Sequence, residues 1–397
     1  MQVAFRWQFP LAQRVAGRQN QDCMRLLPVN FVLALACLCL NLPATSGEAA
    51  TARGIQFIVF KSFHSFSTTS GDSPGEIVLT SRRIRARIEW DELIPSWNLA
   101  DSPDGWLKVE VRAFQGERAT KWFCMGVWSV NASIYPRQSV RGQKDDDGDV
   151  DTDTLVLNRP ARNLQLRFTL GGTTNQLPKL KFAGVSLLNT RTVREPLPPN
   201  HEAWGRLIDV PERSQMAYEN GGVICSPTTV SMMLAHWGRE MKRGAIDEGV
   251  PGVVERVYDP QWKGTGNWAF NMAYAGSFKG MRAYTARLSD VSELEDWIAQ
   301  GIPVGLSLCY NLLRDRGERG NGHLVVCVGF TENGDVIIND PGTSRNVRKT
   351  FPRSNLVKAW AYSKNACYFV YPEEASVPRD RFGHWDSWTA RTKFSLR

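Results

Sequence analysis

Glu219-Asn220-Gly221-Gly222-Val223-Ile224-Cys225-Ser226-Pro227-Thr228-Thr229-Val230-Ser231-Met232-Met233-Leu234 is the stretch that decides the fold. A glycine turn leads to a cysteine, and an amphipathic helix follows. Val230, Met233, Leu234 and Trp237 recur at i, i+3, i+4 and i+7, one apolar face at helical period. Pro227 suits the first helical turn, where its missing N–H is no loss. Gly238 marks a natural stop. Cys225 therefore sits at the start of a buried helix, where unpaired N–H groups and the helix dipole favour a thiolate over a thiol.

The chain has 397 residues, enough for two domains with large cores. Its apolar fraction of 42% and charged fraction of 22% are those of a globular protein. The formal net charge is +8, but Lys and Arg are scattered without a block, so a solvated surface is expected rather than a nucleic-acid partner.

Phe31 to Leu40 is an uninterrupted apolar run. It is too short to span a bilayer, which takes roughly 20 residues. Arg25 precedes it and Pro43-Ala44-Thr45-Ser46-Gly47 follows, the pattern of a secretory signal peptide. Residues 1–46 are expected to be that signal, with 1–22 a polar extension ahead of it and Met24-Arg25 a conventional start. Beyond residue 46 five cysteines remain, Cys124, Cys225, Cys309, Cys327 and Cys367. An odd number outside the cytosol leaves a free thiol. Cys309 and Cys327 end or lie within strand-like runs and could bridge if those strands are neighbours.

Residues 48–195 are expected to form a β-rich, sandwich-like domain. Residues 55–60, 75–80, 106–114 and 164–170 have strand character, several by alternation. Trp90, Trp97, Trp106, Trp122 and Trp128 lie here. They are expected in the core, and exposed ones would offer a cell-wall or glycan contact. The acidic run Lys144 to Asp153 lacks calcium-loop spacing and is predicted to be a solvated hairpin turn. Residues 196–204 form a proline-rich linker, 205–375 a mixed α/β domain, and 376–397 a tail. In that domain Ala269–Ala275 and Val291–Ala299 are predicted helices, the second capped by Ser292, and Val304–Leu308 is a predicted strand.

Gly322-His323-Leu324-Val325-Val326-Cys327-Val328 is a strand opened by a histidine. Asn333-Gly334 turns the chain, and Val336-Ile337-Ile338 returns it to Asn339-Asp340-Pro341. His323 and Asp340 thus fall at one edge of a hairpin. Nucleophilic attack by a thiol needs a thiolate, a base and a group that orients the base, and Cys225, His323 and Asp340 supply these types. Asn339 is an alternative orienter, and His236 is expected to cap the end of the Cys225 helix. The histidines show no metal-ligand spacing and no phosphate-cradling glycine motif occurs, so no metal or cofactor is expected.

Val210-Pro211-Glu212-Arg213-Ser214-Gln215-Met216, Asn220-Gly221-Gly222, Cys225-Ser226-Pro227-Thr228-Thr229, Gly264-Thr265-Gly266-Asn267-Trp268, Gly322-His323-Leu324 and Asn339-Asp340-Pro341 together resemble secreted relatives of the bacterial bacteriocin-processing double-glycine peptidases. The resemblance covers about residues 205–372. It implies a papain-like cysteine peptidase domain, hence an α+β chain with a β-rich N-terminal part. It implies Cys225 as nucleophile, His323 as general base, Asp340 as orienter and Gln215 as oxyanion donor. Asn267 and Trp268 are expected to touch the substrate, a peptide or protein. The expected activity is amide hydrolysis through a thioester, in a secreted, periplasmic or envelope protein. A peptidoglycan stem-peptide amidase, an acyltransferase and a non-catalytic binding protein are the alternatives.

Overall fold

Alternation builds the N-terminal sheet. In the computed structural model, which describes residues 52–100, 105–172, 177–317, 320, 322–381 and 383, β1 (Ile55–Phe60), β2 (Ser67–Ser70), β3 (Ile77–Thr80), β4 (Ile84–Leu99) and β5 (Gly105–Gln115) come first. β6 (Arg118–Ala119), β7 (Phe123–Ser129), β8 (Gly148–Asp151), β9 (Thr154–Gly172) and β10 (Leu180–Leu188) follow. On β5, Leu107, Val109, Val111 and Ala113 are buried, and on β9 Leu164, Leu166, Phe168 and Leu170 are buried with them. Lys108, Arg112, Gln165 and Arg167 alternate outward. The expected signal segment, residues 1–46, and the tail from 384 onward lie outside the described residues.

The ten strands form one antiparallel ladder, β1-β10-β4-β9-β3-β2, with β5 and β8 also paired to β9 and with β6 and β7 on β5. The expected pair of facing sheets is therefore one continuous sheet. β4, 16 residues long, and β9, 19 residues long, each serve several partners, and the register shifts around Trp90 where they meet. Such irregularities bend a sheet. Trp90, Trp97 and Trp128 are fully buried in its core, while Trp106 and Trp122 are half-exposed.

The second sheet has six strands. They are β11 (Met281–Arg287), β12 (Val304–Cys309), β13 (Gly322–Phe330), β14 (Val336–Asn339), β15 (Arg348–Phe351) and β16 (Ala366–Pro372), in the order β11-β16-β12-β13-β14-β15. Six helices accompany it, α1 (Cys225–Glu240), α2 (Gly249–Val257), α3 (Trp268–Ala275), α4 (Val291–Ala299), α5 (Tyr310–Leu313) and α6 (Arg353–Ala361). Leu324, Val326 and Val328 of β13 share a core with α1, whereas Val325 and Cys327 share one with α4 and α6. A strand covered on both faces is a near-continuous apolar run.

Several local expectations are corrected. α1 runs through Gly238 to Glu240 and turns off at Lys242, whose φ is 55°. Gly238 instead admits the returning chain, since a Cβ there would lie 3.3 Å from the Arg243 carbonyl oxygen. Asp290, not Ser292, caps α4 by accepting the Ser292 N–H, and the Ser292 hydroxyl donates to the Pro198 carbonyl. That bond helps tie the proline-rich segment 196–204 onto α4. His236 is buried against the Asp209 carbonyl rather than capping α1. β12 and β13 are neighbours, but Cys327 faces Val304 and Cys309 faces Gly322, so the two thiols sit far along the ladder and both are free.

The two sheets meet where β11 would otherwise be an open edge. The N–H groups of Ala283, Thr285 and Arg287 point away from β16, at every second residue. They are accepted by Asn98 Oδ1 at 3.2 Å, Ser96 Oγ at 2.9 Å and Ser186 Oγ at 3.2 Å. Asn98 Nδ2 returns a bond of 2.8 Å to the Ala283 carbonyl. Side chains of β4 and β10 thus stand in for a missing strand. Beside them the buried Arg287 guanidinium contacts Glu92 at 2.8 Å. Among the described residues no helix is long and apolar enough to cross a membrane.

Candidate active site

Cys225 is the first residue of α1, after an Ile224 N-cap that makes no side-chain capping bond. The thiol is partly exposed. Most of the helix behind it is buried, and Trp237 Nε1 anchors its far end on the Val370 carbonyl at 2.6 Å. Ser226 Oγ lies 2.9 Å from Tyr368 Oη, a buried pair that fixes the first turn to β16.

His323 stands at the start of β13 and Asp340 directly follows β14. The hairpin joins them: Nε2 of His323 is 2.8 Å from Oδ1 of Asp340, both side chains buried. With Nε2 committed to the carboxylate, Nδ1 is the ring nitrogen left for the hydrogen bond with Cys225. The Gly342 N–H donates to the same Oδ1 at 2.9 Å, and the Tyr310 hydroxyl donates to Oδ2 at 2.7 Å.

Burial would push the Cys225 thiol up. The His323 hydrogen bond and charge, with the Leu324 and Ser226 main-chain amides, outweigh it, so the thiol lies below its usual value. Burial likewise disfavours a charged His323, but Asp340 and Cys225 raise its pKa to about 9. Burial also works against ionised Asp340, and His323, then Tyr310 and Gly342, hold its carboxyl below the usual range. The arrangement favours thiolate, imidazolium and carboxylate in a row. The other partly exposed thiol, Cys124, is pushed up to about 11 by burial, and Cys327 to about 12.

Gln215 is brought to the same place. Its N–H donates to the carbonyl of Pro341, the residue after Asp340, at 2.9 Å. Its side-chain Nε2 donates to the Gly221 carbonyl, and its buried Oε1 has no hydrogen-bond partner among the described residues. Asn267 is not brought there as a contact residue. It is fully buried as the N-cap of α3, where Oδ1 accepts the Phe270 N–H at 3.1 Å, so it holds a helix away from the solvent. Trp268 is half-buried behind it, with its N–H on Asp153. Asn339 is no orienter either, because it bridges the Val210 carbonyl and Arg348. Residue type alone did not single out Tyr310. Its place one residue beyond β12, the neighbour of the histidine strand, is the signal that carries it.

Residues 207–368 match the model of the peptidase C39-like family, and residues 76–187 match that of the peptidase C39 N-terminal domain. Residues 207–368 belong to the C39-like peptidase family. The C39-like match begins just before the Gln215 segment and ends on β16, so it encloses Cys225, His323 and Asp340. The N-terminal match covers the sheet from the end of the β2–β3 turn into β10. No curated protein matches the sequence. Among solved structures, a GH29 fucosidase from Ruminococcus gnavus with bound fucose aligns at 15% identity and a TM-score of 0.14. A mutant of the same enzyme gives the same figures. Each alignment covers 37% of this chain and 28% of the fucosidase, so the chain spans little more than a quarter of that enzyme's length. A likeness of that size carries no argument about this C39-like chain. Among its described residues no group of three or more His, Cys, Asp and Glu side chains is placed to hold a metal ion.

Proposed function

We propose that the protein is a papain-like cysteine peptidase that hydrolyses peptide bonds through Cys225, His323 and Asp340. The observation that carries this reading is the hydrogen-bonded row from the Cys225 thiol through His323 to Asp340, with 2.8 Å between the last two. The Cys225 thiolate attacks the scissile carbonyl carbon, a C–S bond forms, and the carbonyl electron pair moves onto oxygen. The uncapped first turn of α1 offers main-chain N–H groups to that oxyanion. As the tetrahedral species collapses, the C–N bond breaks and the leaving nitrogen takes a proton from His323. Water then adds to the thioester while His323 accepts its proton, and the acid departs as the thiolate returns.

Gln215 is a second oxyanion donor in this scheme, once its amide leaves the Gly221 carbonyl. The loop before Cys225 exposes Met216, Tyr218 and Val223. An apolar rim of this kind favours a peptide substrate over a sugar amide. The signal-like residues 31–40 support export, which places the enzyme outside the cytosol in this reading.

Iodoacetamide at pH 6, with peptide mass spectrometry, tests the proposal. Cys225 is expected to alkylate far faster than Cys124, and His323→Ala is expected to abolish the difference. Equal rates at the two thiols, or a rate indifferent to His323, would sink it.

A further inference from the structure

We propose that Tyr310 is a positioning residue of this site, which locks Asp340 for His323 and closes one face of the imidazole; the inference rests on the catalytic reading of Cys225 and His323. Tyr310 opens the single turn α5 directly after β12. β12 pairs with β13 so that Leu308 faces His323. Two residues on, the chain turns and lays the tyrosine ring on the imidazole, with centroids 4.1 Å apart and planes inclined by 37°. The hydroxyl is then spent on Asp340 Oδ2, 2.7 Å away.

A carboxylate rotates unless both oxygens are held. Oδ1 of Asp340 accepts from His323 and the Gly342 N–H, and Oδ2 accepts from Tyr310. With a donor on each side the plane is fixed, and the imidazole that shares Oδ1 is fixed with it. Gly342 completes the enclosure. A Cβ there would lie 3.0 Å from both His323 Cε1 and the Tyr310 hydroxyl. Arg314 covers the tyrosine from outside, 4.8 Å from the ring centroid. A tyrosine serving packing alone would have no reason to aim its hydroxyl at the carboxylate that orients the base.

The titratable groups around Asp340 are His323, Tyr310 and, one step away, Cys225 and Arg314. The Tyr310 pKa lies well above its usual value, through burial and then Asp340, so the hydroxyl stays a donor throughout the working range. Tyr310→Phe keeps the ring and removes that donor. Asp340 then protonates at higher pH, and the imidazolium–thiolate pair loses its support earlier as acid is added.

The test is the rate of Cys225 alkylation by iodoacetamide from pH 4 to 9 in the full chain, wild type against Tyr310→Phe. The acid limb is expected to move to higher pH, with the rate at pH 5 lowered about tenfold, as befits one hydrogen bond to a buried charge. The plateau near pH 8 is expected to stay within about twofold of the wild type. A packing role alone would lower the whole profile without moving its midpoint. Superimposable profiles, or a uniform drop, overturn the proposal. If the wild-type rate itself ignores His323, the catalytic reading fails instead. Should Tyr310→Phe not fold, the wild type still answers. The Tyr310 hydroxyl proton should give a slowly exchanging downfield NMR signal while Asp340 is ionised, and its absence overturns the proposal equally.

Discussion

Asp153, in the turn between β8 and β9, accepts the main-chain N–H of Trp268 at 2.5 Å. A carboxylate of the N-terminal sheet thus sits on the first turn of α3, where the helix dipole favours it. The acidic run that ends in Asp153 was expected to be solvated throughout. Its last member is buried, and burial pushes that carboxyl up to about 7. A group whose pKa is raised on folding stabilises fully below its unfolded value, 3.8 for a free carboxyl, and loses that contribution as pH climbs from there to about 7. Stability is therefore expected to fall between pH 5 and pH 7, at up to about 1.4 kcal/mol per pH unit, and to level off above pH 7. Asp153→Asn keeps an acceptor for Trp268 and should flatten that slope. Urea unfolding at the two pH values reads it, and an Asn variant with the wild-type slope would refute the assignment.

Gly221 and Gly222 are adjacent, yet only the first should be sensitive to alanine. A Cβ at Gly221 would meet main-chain atoms, the Gln215 carbonyl oxygen at 2.6 Å and the Tyr218 carbonyl oxygen at 3.0 Å. At Gly222 it would meet nothing within 4 Å. Gly221→Ala is expected to cost about 1–3 kcal/mol and to slow Cys225 alkylation through the displaced loop. Gly222→Ala should leave both within error. Thermal melts with alkylation rates compare the pair.

Gln215→Ala tests the oxyanion role apart from nucleophile reactivity. Loss of one donor to a developing oxyanion typically costs about 3 kcal/mol, roughly a hundredfold in turnover. Turnover of a cleaved peptide should fall on that scale while Cys225 alkylation, which builds no oxyanion, changes little. Equal losses in both would mean that Gln215 only supports the loop.

Asn98→Ala should be among the most damaging substitutions away from the thiol. Asn98 is fully buried, and its loss strands both the N–H and the carbonyl of Ala283. Two unmet main-chain groups cost about 2–4 kcal/mol together. Chemical denaturation is the measurement, and a loss under about 1 kcal/mol would show that water replaces the side chain.

The nucleophile helix and the histidine hairpin were legible because each announces itself locally. α1 has a 3.6-residue period, and Asn333-Gly334 specifies a turn whose flanking strands set His323 beside Asp340. β4 was not legible. Ile84 to Asp91 alternates apolar with polar, but Glu92 and Pro95 break the pattern and the second half is buried whatever the residue type, so its full length is recognisable only from its partners β9 and β10. Ser96 and Asn98 look like surface residues in sequence, because the groups they satisfy lie some 185 positions later. Tyr310 and Asp153 escaped for the same reason. Their roles reside in contacts across the fold, which no local pattern encodes.

The order in which the chain is made gives the covered edge of β11 a further meaning. Its partner within its own sheet, β16, is the last strand among the described residues to be synthesised, whereas Ser96, Asn98 and Ser186 belong to a sheet completed nearly a hundred residues before β11 emerges. During vectorial synthesis N-terminal units fold first. The nascent β11 can therefore dock on three waiting side chains before β16 exists, and the finished N-terminal sheet becomes the template on which the peptidase half is laid down.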